Sequence, residues 1–299
     1  MPEKILIIKL GAMGDVVRTT PLLRVLTGDV YWVTRKESVP FLPIQKSVLK
    51  QVIEVAQAKY FLTKKTFDLC LSLDEDYEAA RIASLVRKKL LIGTFLNSTN
   101  CLDYTDSSSK WFDMGLISKY GKVCADELKK KNNETYQEII FNMLGKHFCG
   151  EEYILGIDKK RTETSGKVVI GFEPRAGERW PTKRWDKYAE LGEKLENDGY
   201  IVKFLMEKKT VQEYAREISS CNLIVSGDTL ALHIALAFEL KVVGIFTCTS
   251  PAEIYSYGRM IKVISPLLEK AFYRKEYIPE AVEAISTADV LNAVKKLLI

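Results

Sequence analysis

The order of apolar segments predicts an α/β chain of two Rossmann-like domains that face each other across a cleft. Three observations carry this. Short β-branched runs alternate with helical periodicity along most of the chain. The alternation stops at 158–166 (Asp-Lys-Lys-Arg-Thr-Glu-Thr-Ser-Gly), a charged stretch without apolar period that reads as a linker, and then restarts. Finally, 299 residues with 47% hydrophobic content suffice for two cores of ordinary size. The expected domains are 1–157 and 167–299.

In the first half, residues 4–10 form a β-branched run suited to a strand buried on both faces. Gly11-Ala-Met-Gly-Asp15 follows, and then a helical pattern in which Pro21 predicts a kink or division. Residues 30–34 read as the second strand and 67–73 as another. Asp74-Glu-Asp76 opens a helix through Val86, and 88–93 is the next strand. Residues 97–133 look irregular and polar, and a helix over 134–144 closes the half. In the second half strands are expected at 168–172, 200–206, 223–226 and 242–246. Helices are expected at 185–197, 210–219, 230–238 and, amphipathic at the end, 287–298. Strands joined by crossover helices call for parallel sheets, whose ligands bind beyond the carboxyl ends of the strands.

Composition excludes several classes. A 28% charged fraction with few Gly and Pro is a globular profile, and no apolar run approaches the roughly 20 residues of a membrane helix. The apolar stretch 5–8 is too short for a secretory signal core, so a cytoplasmic location is expected. Six scattered cysteines lack zinc-like spacing and read as free thiols. The formal charge of +5 is too mild for a dedicated nucleic-acid binder, while anionic small molecules or an anionic membrane surface would suit it equally.

Three segments could carry chemistry. In the first, glycines after a strand let the backbone approach a ligand, and the opening helix offers free N–H groups. Asp15 there, taken alone, reads first as a carboxylate that stabilises the helix dipole. Neither G-x-G-x-x-G nor a P-loop occurs. The second segment, 173–185, places Arg175, Arg179, Lys183 and Arg184 in one strand-to-helix loop, as a phosphate-bearing ligand requires. Its rival is a solvated basic loop with Trp185 as a core anchor. The third, 224–235, runs from a strand through Ser226-Gly-Asp-Thr229 into a helix that Asp228 or Thr229 can cap. His233, one turn in, projects toward that loop, while His147 has no partner pattern and reads as structural.

Together these elements resemble glycosyltransferase family 9, the heptosyltransferases of lipopolysaccharide synthesis. The opening 5–23 is similar to that family's N-terminal signature, and 174–185, with Gly177 and Lys-Arg-Trp, to the motif opening its donor domain. Residues 226–229 with His233 resemble its Asp-Ser/Thr-Gly-x-x-His element, and 246–251 the loop beyond it. The resemblance implies a GT-B fold and inversion at the anomeric carbon without a metal or cofactor. The acceptor then lies on the first domain, at a loop containing Gly11, Met13 and Gly14, with Asp15 as general base. The nucleotide sugar lies on the second, with Lys183 at the leaving phosphate and Gly177, Arg179, Asp228, Thr229 and His233 around the donor. It also leaves room for the last helix to pack back on the first domain.

The donor so implied is ADP-heptose, the acceptor a glycan or lipopolysaccharide core. Nucleic acid is not an expected partner, and the basic segments 87–89 and 129–131 read either as peripheral contacts with the anionic inner membrane surface or as a solvated charged face. Two departures keep other readings open. Leu230 stands at a glycine position, and 206–210 lacks the helix and strand that usually precede the donor loop, leaving Glu207 as the nearest ribose ligand. The alternatives are a non-catalytic nucleotide-sugar binder and a nucleotide-sugar epimerase of the same architecture.

Overall fold

A computed structural model describes residues 3–62, 64–159 and 166–299. The chain divides into two compact units, residues 1–157 and 158–299. Most of the expected linker, 160–165, lies outside the described residues. Among the described residues no helix is long and apolar enough to cross a membrane.

The first unit begins with β1 (Lys4–Ile8), whose Ile5 to Ile8 side chains are all buried, as a central parallel strand requires. Helix α1 (Met13–Thr19) follows. Pro21 then converts the expected continuation into a 3₁₀ turn, Thr20–Arg24, because its ring cannot continue an α-helix. Next come β2 (Asp29–Thr34), β3 (Leu49–Glu54), α2 (Val55–Leu62), β4 (Thr66–Ser72) and α3 (Tyr77–Leu85). The polar stretch 97–133 is not irregular. After β5 (Arg87–Leu96) it supplies β6 (Leu102–Tyr104), α4 (Ser109–Phe112) and α5 (Gly121–Lys131). Helix α6 (Tyr136–Asn142) starts at a capping box of Thr135 and Glu138, which defines its end more sharply than apolar periodicity did.

These strands form a six-stranded sheet in the order β3-β2-β1-β4-β5-β6, parallel except for the antiparallel β5–β6 pair. The strand order reverses between β1 and β4. That is the switch point where loops diverge at the carboxyl edge and leave room for a ligand.

The second unit has β7 (Val169–Glu173), α7 (Tyr188–Asn197), β8 (Ile201–Phe204), α8 (Val211–Ser219), β9 (Leu223–Gly227) and α9 (Leu230–Ala237). It continues with β10 (Lys241–Phe246), β11 (Met260–Ile264), α10 (Leu268–Ala271), α11 (Pro279–Glu283) and α12 (Thr287–Leu298). All five strands are parallel, in the order β11-β10-β9-β7-β8, so this sheet switches between β7 and β9. The buried face of α12 (Val290, Ala293, Val294) joins the core of its own unit. Within this unit α12 packs against α7, β10 and β11.

Candidate functional site

Both switch points carry the singled-out motifs. In the first unit, Gly11 to Asp15 follow β1 and Asp74 follows β4, side by side at the carboxyl edge. Asp15 occupies the third position of α1, where its carboxylate meets the positive end of the helix. It also pairs with Arg18 at 3.0 Å, one turn on. The Arg18 guanidinium lies 4.2 Å from the Tyr136 ring centroid and 5.6 Å from that of Trp111. Asp15 keeps about a third of its side chain accessible (35%). Gly14 is buried, and Gly11 and Met13 are half-buried beside it.

What supports this turn was not legible in the motif. Asp74, expected to open α3, instead turns inward: it accepts the backbone N–H groups of Leu10 and of Gly11, the latter at 3.1 Å. Its other oxygen accepts from Lys9 Nζ at 2.7 Å, and Lys9 also donates to the Leu73 carbonyl. Both side chains are buried, at 7% and 6% exposure. A Cβ on residue 11 would sit 2.8 Å from Asp74 Oδ1, so glycine is required there by close approach. Burial alone would lower the Lys9 pKa. The neighbouring Asp74 carboxylate, helped by Tyr136 and Asp15, more than offsets this and raises it well above the ordinary range. The cap of α3 falls to Asp76, which accepts from the Glu78 N–H at 2.7 Å.

In the second unit, Lys183 from the β7–α7 loop reaches the β9–α9 loop. Its ammonium donates to the Asp228 carbonyl at 2.8 Å and pairs with the Asp228 carboxylate at 3.1 Å. The other carboxylate oxygen of Asp228 lies 3.6 Å from His233 Nε2. Lys183, Asp228, Thr229 and His233 therefore gather at the N-terminus of α9. The backbone carbonyl of Lys183 would lie 3.0 Å from a Cβ at Gly227, so glycine admits the neighbouring loop. Thr229 is the N-cap residue by position, yet its hydroxyl bonds Ser226 Oγ at 2.8 Å and does not cap the helix. Leu230, where a glycine was expected, is the half-buried first residue of α9.

The four cations of the β7–α7 loop do not act as a set. Arg175 is held by Glu173 through both guanidinium arms, at 2.8 and 2.7 Å. Glu173 is buried and also accepts from the Tyr214 hydroxyl. Burial, then the Glu173 charge, raises the pKa of that hydroxyl. Arg184 pairs with Asp186 at the surface. Gly177 and Arg179 stay exposed, with the Arg179 guanidinium 5.5 Å from the Trp180 ring centroid. Trp185 is the core anchor of this loop: it is 1% exposed and its indole N–H donates to the Ile285 carbonyl. That anchorage sets where Lys183, two residues earlier, leaves the core.

Glu207 is exposed in the short β8–α8 connection, and His147 is exposed after α6 and so is no core residue. All six cysteines are free, and Cys70, Cys221 and Cys248 are buried. Among the described residues no group of three or more His, Cys, Asp or Glu could hold a metal ion.

Residues 207–279 match the family model of glycosyltransferase family 9 (heptosyltransferase), a span that contains the β9–α9 loop. No curated protein matches the chain. The glycosyl transferase family 9 structure from Veillonella parvula superposes with a TM-score of 0.70 at 16% identity, covering 99% of this chain and 97% of that one. The ADP-heptose LPS heptosyltransferase II of E. coli gives 0.65 at 16% identity, covering 99% and 98%. The iron-containing dodecameric glycosyltransferase TibC of enterotoxigenic E. coli gives 0.62 at 10% identity, covering 99% and 76%. These likenesses establish the GT-B type of fold. With the family match over 207–279, the chain is a glycosyltransferase similar over that span to family 9, the heptosyltransferases.

Proposed function

We propose that this glycosyltransferase moves a heptose, with inversion and without a bound metal, from ADP-heptose to a hydroxyl of a glycan or lipopolysaccharide-core acceptor on the cytoplasmic side of the membrane. The observation that carries the reading is the meeting of Lys183 with Asp228 beside His233 and the α9 N-terminus, inside the family-matched span for all but Lys183. An ammonium has three N–H donors. Two face Asp228, which fixes the group and leaves one for a phosphoryl oxygen. The unpaired N–H groups at the start of α9 add partial positive charge beside it.

In this scheme the first unit holds the acceptor and the second the donor. Asp15 takes the proton of the acceptor hydroxyl as its oxygen attacks the anomeric carbon. The bond from that carbon to the diphosphate breaks, its electron pair leaves with ADP, and the configuration inverts. Lys183 and the α9 N–H groups stabilise the negative charge growing on the leaving group. Arg18 holds the Asp15 carboxylate toward the surface, and the Lys9–Asp74 pair keeps the turn beneath it rigid. Gly177 and Arg179, both solvent-facing, form the rim of the donor site.

The test is ADP release from ADP-heptose with and without a lipopolysaccharide-core acceptor, in chelator and in its absence. Release that needs the acceptor and ignores the chelator is the expected result. A rate abolished by chelator and restored by iron would overturn metal independence, a live question because one protein of this fold is described as iron-containing. Leu230 and the short 206–210 connection favour one second reading, a nucleotide-sugar binder without turnover. Tight nucleotide binding with no release under any condition would establish it. Conversion of the donor sugar without an acceptor would instead indicate an epimerase.

A further inference from the structure

Helix α5 is anomalous in the first unit, because Ala125 is its only buried residue. A helix so weakly packed gains little from burial. The segment leading into it and the helix itself also display large apolar side chains to solvent: Leu116 (62% exposed), Tyr120 (63%), Val123 (82%) and Leu128 (38%). Between and after them stand Lys119, Lys122, Lys129, Lys130 and Lys131, against only Asp126 and Glu127. The helix pairs Lys122 with Asp126 and Lys130 with Glu127, and the segment stays net positive. At 100° per residue, the side opposite Ala125 carries Val123, Glu127 and Lys130.

The segment is also joined to the Asp15 turn. The Leu116 N–H donates to Glu75 Oε1 at 2.7 Å, one residue beyond Asp74. Lys129 Nζ lies 5.2 Å from the Trp111 centroid, and the same ring receives Arg18, the partner of Asp15.

We propose that residues 116–131 are a membrane-docking surface, seating Leu116, Tyr120 and Val123 among the headgroups of an anionic bilayer with the lysines against its phosphates. Charge complementarity selects a bilayer over a protein partner. A protein interface would have to bury the lysines together with the apolar groups. A headgroup layer takes the apolar groups at its acyl boundary and leaves the ammonium groups hydrated. The inference rests on the glycosyltransferase reading only for its purpose, which is to bring the Asp15 turn to a lipid-borne acceptor.

The experiment is flotation of the full chain with phosphatidylglycerol–phosphatidylcholine vesicles and with phosphatidylcholine alone, lacking donor and acceptor. Binding to the anionic vesicles that declines as salt rises is expected. Replacing Lys129, Lys130 and Lys131 together by Gln lowers the partition coefficient on the order of a hundredfold, from about fivefold per lysine. Val123→Asp, at an exposed site, lowers it with an unchanged melting temperature. The inference is overturned if the wild-type chain does not float, or if Val123→Asp floats as the wild type does. It is equally overturned if Gln at Arg87, Lys88 and Lys89 abolishes flotation while the α5 variants retain it. Transfer to a detergent-free, deacylated acceptor in solution reports the enzymatic reading separately, and Val123→Asp leaves that rate unchanged.

Discussion

The two units leave their first strand in opposite ways. After β1 the chain enters α1 within a few residues, over a buried ion pair of Lys9 and Asp74. After β7 it makes a long basic excursion, whose charges are paired nearer the surface: Lys183 with Asp228 at 18% exposure each, and Arg184 with Asp186 at 68% and 49%. A buried pair is hard to break, since removing one partner strands a charge in low dielectric, whereas an exposed pair exchanges partners at little cost. The difference suits the two proposed tasks. A general base has to stay at one place, while Lys183, held by Asp228 nearer the surface, keeps one N–H donor for a ligand oxygen.

The largest expected effect tests the first unit. Asp15→Asn preserves a polar side chain at the start of α1 but cannot accept a proton, and turnover falls by roughly 10²–10⁴-fold. Stability changes little, because the Asp15–Arg18 pair is partly solvated and Arg18 keeps its aromatic contacts. Turnover, donor affinity and melting temperature, measured on one preparation, check it. Near-normal turnover would reduce Asp15 to a helix-dipole residue.

Next is Asp74→Ala, which leaves the Lys9 ammonium buried without its partner. Unfolding in urea registers a loss of about 3–5 kcal/mol. Because the folded-state pKa of Lys9 is raised, its contribution is complete below the unfolded value of 10.5 and disappears only as pH rises through the folded value. The Asp74→Ala deficit therefore stays constant across neutral pH. A deficit below 1 kcal/mol would dissolve the contrast between the two units.

Lys183→Ala should act on the ligand more than on the fold. Donor affinity measured by calorimetry weakens by a factor that reflects about 1.5–3 kcal/mol, the worth of a charge-assisted hydrogen bond. Unchanged affinity would remove Lys183 from the donor site. The smallest effect belongs to Arg184→Ala, whose exposed pair with Asp186 contributes within about 0.5 kcal/mol of nothing. Both its melting temperature and its donor affinity should match those of the wild type, and a loss like that of Lys183→Ala would restore the basic loop as a unit.

Legibility differed between strands and polar stretches. Central strands such as β1 and β9 are buried on both faces and announce themselves as continuous apolar runs. Edge strands β3 and β11 went unread because their half-exposed faces mix Lys and Gln with the apolar residues. Helix α5 went unread for the reason that makes it of interest: with one buried residue it has no apolar period to find. At the candidate sites, Asp15, Lys183, Asp228 and His233 were visible because glycines and strand ends mark them. Lys9, Asp74, Arg18, Glu173 and Tyr214 were not, since nothing local in a sequence tells a buried charge from a solvated one.

Thus local sequence determined the alternation of strands and helices, the division near residue 158, and the loops that follow β1, β7 and β9. These depend on side-chain period and turn chemistry, which act over a few residues. Only the tertiary structure decided which carboxylate meets which cation. Asp74 could have capped α3, but parallel pairing of β1 with β4 brings it beneath Gly11 and Lys9, and Lys183 meets Asp228 across two loops. These two pairings are settled by distances between segments far apart in the chain, and those distances exist only once the sheet has formed, whereas Arg175 is taken by a residue two positions away.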